Sequence, residues 1–300
     1  MELRELEYFL AIVNHGNISE ASRALHITQP ALTRSLQHLE DELGKSLMIR
    51  GSRRIELTED GALLRRRAEE LLQLARKTKA EIQTSEALIE GDIYICSGES
   101  KGLHFFTQAA GRLREDHPNI RLHISSGDKA DVQSRLEEGL IDFGLLFPPF
   151  DHQKYESIRI PFADTWGLFM RKDAPLAAKE CITSHDLIGQ PLILPRNGYE
   201  THQIGNMLNL SEDQIVVSAT YSLIFNGALM VTDGLGYLLG LNHILNLSGD
   251  TVQCFRPLYP PVTEHMHICW KRYAPMSRQA AALKDLLIHQ NEDQVRFLFS

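Results

Sequence analysis

The first sixty residues carry a helical period three times over. Leu3, Leu6, Phe9, Leu10 and Val13 recur at helical spacing until Gly16 and Asn17 interrupt them. Asn17 or Ser19 can cap a second, short helix with apolar positions Ala21, Ala24 and Leu25. His26 and Ile27 supply a turn, and Thr28 can cap a third helix. Gln29 and Pro30 then lie in its first turn, where proline's missing amide proton costs nothing. Leu32, Leu36, Leu39 and Leu43 form one apolar stripe, spaced four, three and four. At about 100° per residue, Pro30, Thr33, Arg34 and Gln37 fall on the opposite side. Taken alone, that side also reads as an ordinary solvated face. Following a tight turn from a preceding helix, it reads as the base-contacting surface of a helix-turn-helix. In a major groove, Arg can pair with guanine and Gln with adenine.

The pattern then changes twice. Residues 47–50 and 55–57 are short strand candidates around "GSRR", a hairpin with Arg53 and Arg54 at its tip. Such a wing suits a phosphate or the minor groove. From 58 to about 89 the spacing is helical again. Leu64, Ala68, Leu71, Ala75, Thr78, Ile82, Ser85 and Ile89 alternate four and three apart, a heptad seam. A lone helix cannot bury that stripe. It needs either a second copy, paired antiparallel or crossed, or the body of its own chain. Beyond Glu90, Gly91 and Asp92, apolar runs such as "IYICS", "IDFGLLF", "TWGLFMR" and "YLLGL" alternate with helical stretches. This predicts a parallel sheet with crossover helices.

Composition alters the picture only in part. Three hundred residues predict two or three domains, and 43% hydrophobic with 23% charged residues fits an ordinary globular protein. A formal net charge of -8 argues against general nucleic-acid affinity. The stretch 45–54 nevertheless holds Lys45, Arg50, Arg53 and Arg54 with no acid. The start, "MELRELEYFLAIVNHG", mixes acids with apolar residues and does not read as a signal peptide. With no run long enough to span a bilayer, a cytoplasmic location and no membrane partner are expected. Cys96, Cys181, Cys254 and Cys269 are scattered, which argues against a disulfide framework or structural zinc. His265 and His267 share one face of a strand candidate but lack a third ligand nearby, so no metal is expected. There is no Gly-rich phosphate loop and no Gly-x-Ser-x-Gly elbow, so no catalytic residues are assigned. An enzyme whose Ser/His/Asp group is assembled by folding stays open as the alternative. A plain solute-binding protein does not fit the basic wing or the N-terminal pattern.

"SEASRALHITQPALTRSLQHLEDELG", followed by Leu47, Arg50 and "LTEDG", resembles the N-terminal pattern of LysR-type transcriptional regulators. The resemblance covers essentially the whole chain. It implies an α/β protein with an N-terminal winged helix-turn-helix (1–58), a long dimerising linker helix (59–90) and a C-terminal two-lobed, periplasmic-binding-protein-like effector domain (91–300). Lobe I would be about 91–161 with 267–290, and lobe II about 162–266. Gln29, Pro30, Thr33 and Arg34 match the family's reading-helix positions. With Thr28, Gln37, Arg50, Arg53 and Arg54 they make up the expected DNA-contacting set. Leu64, Leu71, Ala75 and Ile82 would carry dimerisation. Ser100 and Lys101 match effector-contacting positions. Ser126, Asp128, Phe147, Pro148, Pro195 and Arg196 stand where strands end and helices begin, where ligands bind in open α/β lobes. Lys101 and Arg196 together suggest an anionic effector such as a carboxylate. The plainer alternative has Arg196 in solvent and Asp128 merely capping a helix. Met48, where the family usually has Phe, should alter packing under the wing more than function. The expected partners are double-stranded operator DNA, a small-molecule effector and further copies of the chain as a homodimer or homotetramer. RNA polymerase stays open as another, and no cofactor beyond the effector is expected.

Overall fold

A computed structural model describes residues 1–50, 55–83, 89–200 and 203–298. The helix α1 (Leu3–His15) ends where Gly16 takes a φ of 73°, a left-handed turn that glycine enters without a Cβ clash. Asn17 then accepts a hydrogen bond from the Glu20 amide at 2.7 Å and starts α2 (Ile18–Ala24). After a tight turn, α3 (Gln29–Leu43) opens with Pro30 in its first turn. Thr28 stands at the cap position but its side chain makes no capping bond, contrary to expectation. The start of α3 rests instead on proline's fixed φ. Leu6, Phe9, Ile12, Leu32, Leu36 and Leu39 close one core. Leu43 is 40% exposed, because α3 outruns that core by a turn.

The hairpin pairs β1 (Met48–Arg50) with β2 (Ile55–Leu57) antiparallel, Met48 opposite Leu57. Met48 is buried beneath it. The turn with Arg53 and Arg54, and the side chain of Arg50, lie outside the described residues. The next helix is α4 (Glu59–Gln83). Thr58 Oγ1 accepts from the Gly61 amide at 3.0 Å and donates to the Ser46 carbonyl at 2.8 Å. A Cβ on Gly61 would stand 2.0 Å from the Leu47 carbonyl oxygen. The "LTEDG" motif therefore caps α4 and lets its first turn lie against the root of the hairpin.

Here the seam expectation needs correction. Ala68 and Leu72 are buried in the winged core, with Leu64 half-buried against it. The early turns of α4 thus pack on their own body, and Leu64 belongs to that packing. The outward apolar positions are Leu63, Leu71, Leu74 and Ile82, the last 79% exposed. Ser85 lies outside the described residues, and Ile89 packs into the core of the next unit, so the seam does not continue to it. The chain divides into two compact units, Met1–Glu86 and Ala87–Ser300.

The second unit runs through β3 (Gly91–Ser97), α5 (Gly102–Asp116), β4 (Ile120–Ser126), α6 (Lys129–Glu137), β5 (Phe143–Leu146) and β6 (Tyr155–Arg159). It continues through β7 (Asp164–Arg171), β8 (Ile182–Thr183), α7 (Ser184–Leu187), β9 (Pro191–Pro195), α8 (Arg196–Glu200), α9 (Gln203–Leu208), β10 (Val216–Tyr221), α10 (Ile224–Thr232), β11 (Tyr237–Leu241), β12 (Gln253–Tyr259) and β13 (Thr263–Glu264). It ends with β14 (His267–Lys271) and α11 (Arg278–Leu298). One sheet has the order β4-β3-β5-β14-β6 and the other β10-β9-β11-β7-β12-β8, with β13 on β7. The chain crosses between them twice, from β6 to β7 and from β13 to β14. Each sheet forms a lobe with its own core, one around Phe105, Phe106 and Phe143, the other around Leu168, Leu192 and Leu239.

The alternation predicts a parallel sheet, but neither sheet is purely parallel. β3 runs parallel to β4 and β5, but β14 is antiparallel to β5 and β6, and β7 to β11 and β12. β14 arrives from the other lobe and not through a crossover helix, so the rule that makes such strands parallel does not act on it.

A small cap in lobe II gathers three hydrogen bonds on one carboxylate. Asp186 accepts from Lys179 Nζ at 2.5 Å, the Thr183 amide at 3.0 Å and the Thr183 hydroxyl at 2.9 Å. The Lys179 hydrogen bond, with those from Thr183, lowers its pKa to about 2. A depressed folded-state pKa gives stability that is present above the unfolded value near 4 and lost as pH falls through about 2. Asp186→Ala is expected to lower stability by about 1–2 kcal/mol at neutral pH. In denaturant titrations, that gap should close in strong acid.

Candidate DNA-reading helix and effector cleft

On α3, Gln29, Pro30, Arg34 and Gln37 are exposed, as is Thr28 before it, while Thr33 is half-buried. The opposite face, Leu32, Leu36 and Leu39, is buried. Gln29 Oε1 accepts from the Ser19 hydroxyl at 3.3 Å, which ties the start of α3 to α2. Arg34 Nε reaches the Pro30 carbonyl at 3.4 Å, so the guanidinium lies back along the first turns. The acidic end of α3 is internally engaged. Glu40 accepts from the Leu47 amide at 2.7 Å, and Glu42 takes the Met1 ammonium. Among the described residues, the group of carboxylates and histidine close enough to share a metal is Glu5, His38 and Glu42. His38 already pairs with Glu5 at 2.7 Å. His265 and His267 are separately engaged, with the Ile160 carbonyl and the Phe150 ring.

Among the described residues, a larger and a smaller cavity open side by side in the second unit. The larger, about 690 Å³, gathers Asp128, Phe147, Pro148 and Pro195 as the strand-end argument expected. The smaller, about 250 Å³, holds Ser100, Lys101 and Ser126, together with His243. Arg196 is exposed and lines neither. The expected anion clamp of Lys101 with Arg196 is therefore not formed: one faces the small pocket, and the other opens α8 on the surface. Asp128 both lines the cleft and caps α6, accepting from the Asp131 amide at 3.0 Å.

The larger cleft also contains residues that the sequence reading missed: Glu99, Lys129, Trp166, Tyr221, Ile224 and Glu264. Glu99 precedes Ser100 and Lys129 follows Asp128, so both sit beside residues that the sequence did point to. Trp166 and Glu264 flank the two lobe crossings and become visible only when those crossings are placed. The charged lining is Glu99, Asp128 and Glu264 against Lys129. Glu264 accepts from Trp166 Nε1 at 3.1 Å, and the Tyr221 hydroxyl donates to the Leu239 carbonyl at 2.8 Å. Burial, with the Glu99 carboxylate nearby, pushes the Tyr221 hydroxyl pKa up.

The loop between β3 and α5 reaches across the cleft. Glu99 accepts from the Ile224 amide at the start of α10, at 2.5 Å. The Ser100 hydroxyl donates to Asp164 Oδ2 at 2.7 Å and accepts from the Gly102 amide at 2.8 Å. Asp164 is 4% exposed, and burial raises its pKa against the opposing effect of the Ser100 hydroxyl and the Lys101 amide. Lys101 Nζ stands 5.9 Å from the centre of the Phe162 ring.

Residues 3–62 match the model for the bacterial regulatory helix-turn-helix protein of the lysR family, and residues 86–292 match the LysR substrate binding domain. Among relatives, the uncharacterized HTH-type transcriptional regulator YybE of Bacillus subtilis (strain 168) is 26% identical over 296 residues, covering 96% of this chain and 98% of its own. AlsR of the same organism, an HTH-type transcriptional regulator, is 30% identical over 194 residues, 64% of each chain. Among solved structures, CbnR, a LysR family transcriptional regulator, superposes with a TM-score of 0.73 at 18% identity, over 97% of this chain and 99% of that one. Full-length CbnR complexed with its target DNA gives 0.72 at the same identity, over 97% and 100%. At that identity the solved structures speak for the fold, while the two family models account for most of the sequence. Models and relatives alike describe regulators, which sets the enzyme alternative aside. The chain belongs to the LysR family and is a DNA-binding transcriptional regulator with an effector-binding domain.

Proposed function

We propose that α3 enters the major groove with Thr33, Arg34 and Gln37 toward base edges. Thr28, Gln29 and Pro30 set its approach to the backbone, and Arg50, Arg53 and Arg54 serve phosphate or the minor groove at the wing. The observation that carries this reading is the contrast on α3. Gln29, Pro30, Arg34 and Gln37 on its polar side are exposed, while Leu32 and Leu39 opposite are fully buried. Two copies joined along α4 through Leu71, Ala75 and Ile82 would present two such helices to one operator, as dimers or as pairs of dimers. In this reading the protein acts in the cytoplasm, where its operator DNA is. No helix among the described residues is long and apolar enough to cross a membrane.

The larger cleft is the proposed effector site, and its size is that of an ordinary small-molecule pocket. Phe147, Trp166, Met207 and Ile244 make its lining mainly apolar, and three carboxylates face one ammonium. That balance favours an apolar effector with an uncharged or cationic head over the carboxylate that Lys101 and Arg196 had suggested. No cofactor beyond the effector is proposed. Matched panels of benzyl alcohols, benzylamines and benzoates test this by thermal shift, because a ligand that binds only the folded state raises Tm. The alcohols and amines are expected to stabilise and the benzoates not to. Stabilisation by benzoates alone would restore the anionic reading.

A further inference from the structure

The loop 98–101 makes two bonds to the opposite lobe from adjacent residues. Glu99 holds the Ile224 amide that opens α10, and Ser100 holds Asp164 at the start of β7. Gly98 and Glu99 of the same loop line both cavities. The Ile224 amide is in the first turn of α10, so it has no carbonyl partner within its own helix, and the Glu99 carboxylate supplies one. Asp164 would be an unpaired buried carboxyl without the Ser100 hydroxyl and the Lys101 amide. Each arm thus satisfies a group in lobe II that would otherwise be short of a partner.

We propose that this loop is an interlobe latch, in which Glu99 and Ser100 tie lobe I to lobe II. A molecule in the cleft that donates a hydrogen bond or a positive charge to Glu99 competes directly with the Ile224 amide for that carboxylate. Release of α10 is then the first structural consequence of binding. This deepens the proposed function and rests on the larger cleft being the effector site. It explains why an acid stands in the cleft beside a helix start: the acid is the partner of that helix's first amide.

Hydrogen exchange of the full-length protein without any effector reads the latch directly. In Glu99→Ala, the peptide containing Ile224 should exchange about tenfold to hundredfold faster than in wild type, as expected for loss of a charge-assisted hydrogen bond. Ser100→Ala should loosen the segment around Asp164, leaving the α3 peptides unchanged in both variants. Acetate, offered as a free carboxylate, should restore protection at Ile224 in Glu99→Ala and have no effect on wild type. Glu99→Gln, which keeps an uncharged acceptor, should fall between the two and guards against a folding failure in the alanine variant. Unchanged exchange at Ile224 in both Glu99 variants overturns the latch. So does uniform loosening of the whole second unit that acetate does not reverse. Neither outcome depends on effector class, which the ligand panels decide separately.

Discussion

Leu71→Lys is expected to reduce the sedimenting mass of the full-length protein, dissociating dimers at concentrations where wild type stays paired. Leu71, Leu74 and Ile82 form the apolar side of α4 that the winged core leaves uncovered. A symmetric pairing puts each copy of the new ammonium into an apolar seam, which is far more costly than losing one leucine contact. Ala62→Lys changes the same helix by the same charge on its exposed far side and should leave the mass unchanged. Operator affinity should fall with the dimer, by about two to four orders of magnitude, because the second reading helix no longer binds as a tethered partner. An unchanged mass for Leu71→Lys, with its circular dichroism intact, would remove α4 as the dimer helix.

How much of this was legible in the sequence differs by unit. The winged unit is built from near-neighbour periodicity, so its helices and hairpin could be read off the chain. Even the motif glycine, Gly61, has a local cause in the Leu47 carbonyl it touches. What could not be read was which stripe of α4 goes inward. Leu64 and Leu71 lie on nearly the same side by spacing, and only the position of α1 and the hairpin decides that Leu64 turns toward the core. The lobes were harder. β12 (Gln253–Tyr259) carries Arg256 and Pro257, which break the apolar alternation of a strand, and it was missed. Antiparallel β14 depends on a return from the other lobe that no local pattern encodes. The effector site suffered for the same reason. Lys101 and Arg196 both stand at strand ends with the right charge, yet cavity walls are set by which loops converge. That convergence brought in Glu99, Trp166 and Glu264 and left Arg196 outside.

In the proposed function the polar side of α3 reads bases while the wing supplies sequence-independent affinity. Arg34→Ala and Arg53→Ala should therefore fail in different ways. Loss of a base contact removes roughly 1–3 kcal/mol of discrimination and relaxes preference at one position of each half-site. Loss of a phosphate contact weakens all sequences alike and makes the log–log salt dependence shallower by about one unit. Thr33 and Gln37, flanking Arg34 on the same face, should change specificity when truncated. The direct measurement is the binding of both variants to operator and to scrambled DNA across a salt series. Arg34→Ala should narrow the gap between operator and scrambled DNA, while Arg53→Ala should lower both affinities together and flatten the salt slope. If Arg34→Ala binds both DNAs as wild type does, with its fold intact, the exposed side of α3 is only a solvated helix surface and the reading-helix assignment is wrong.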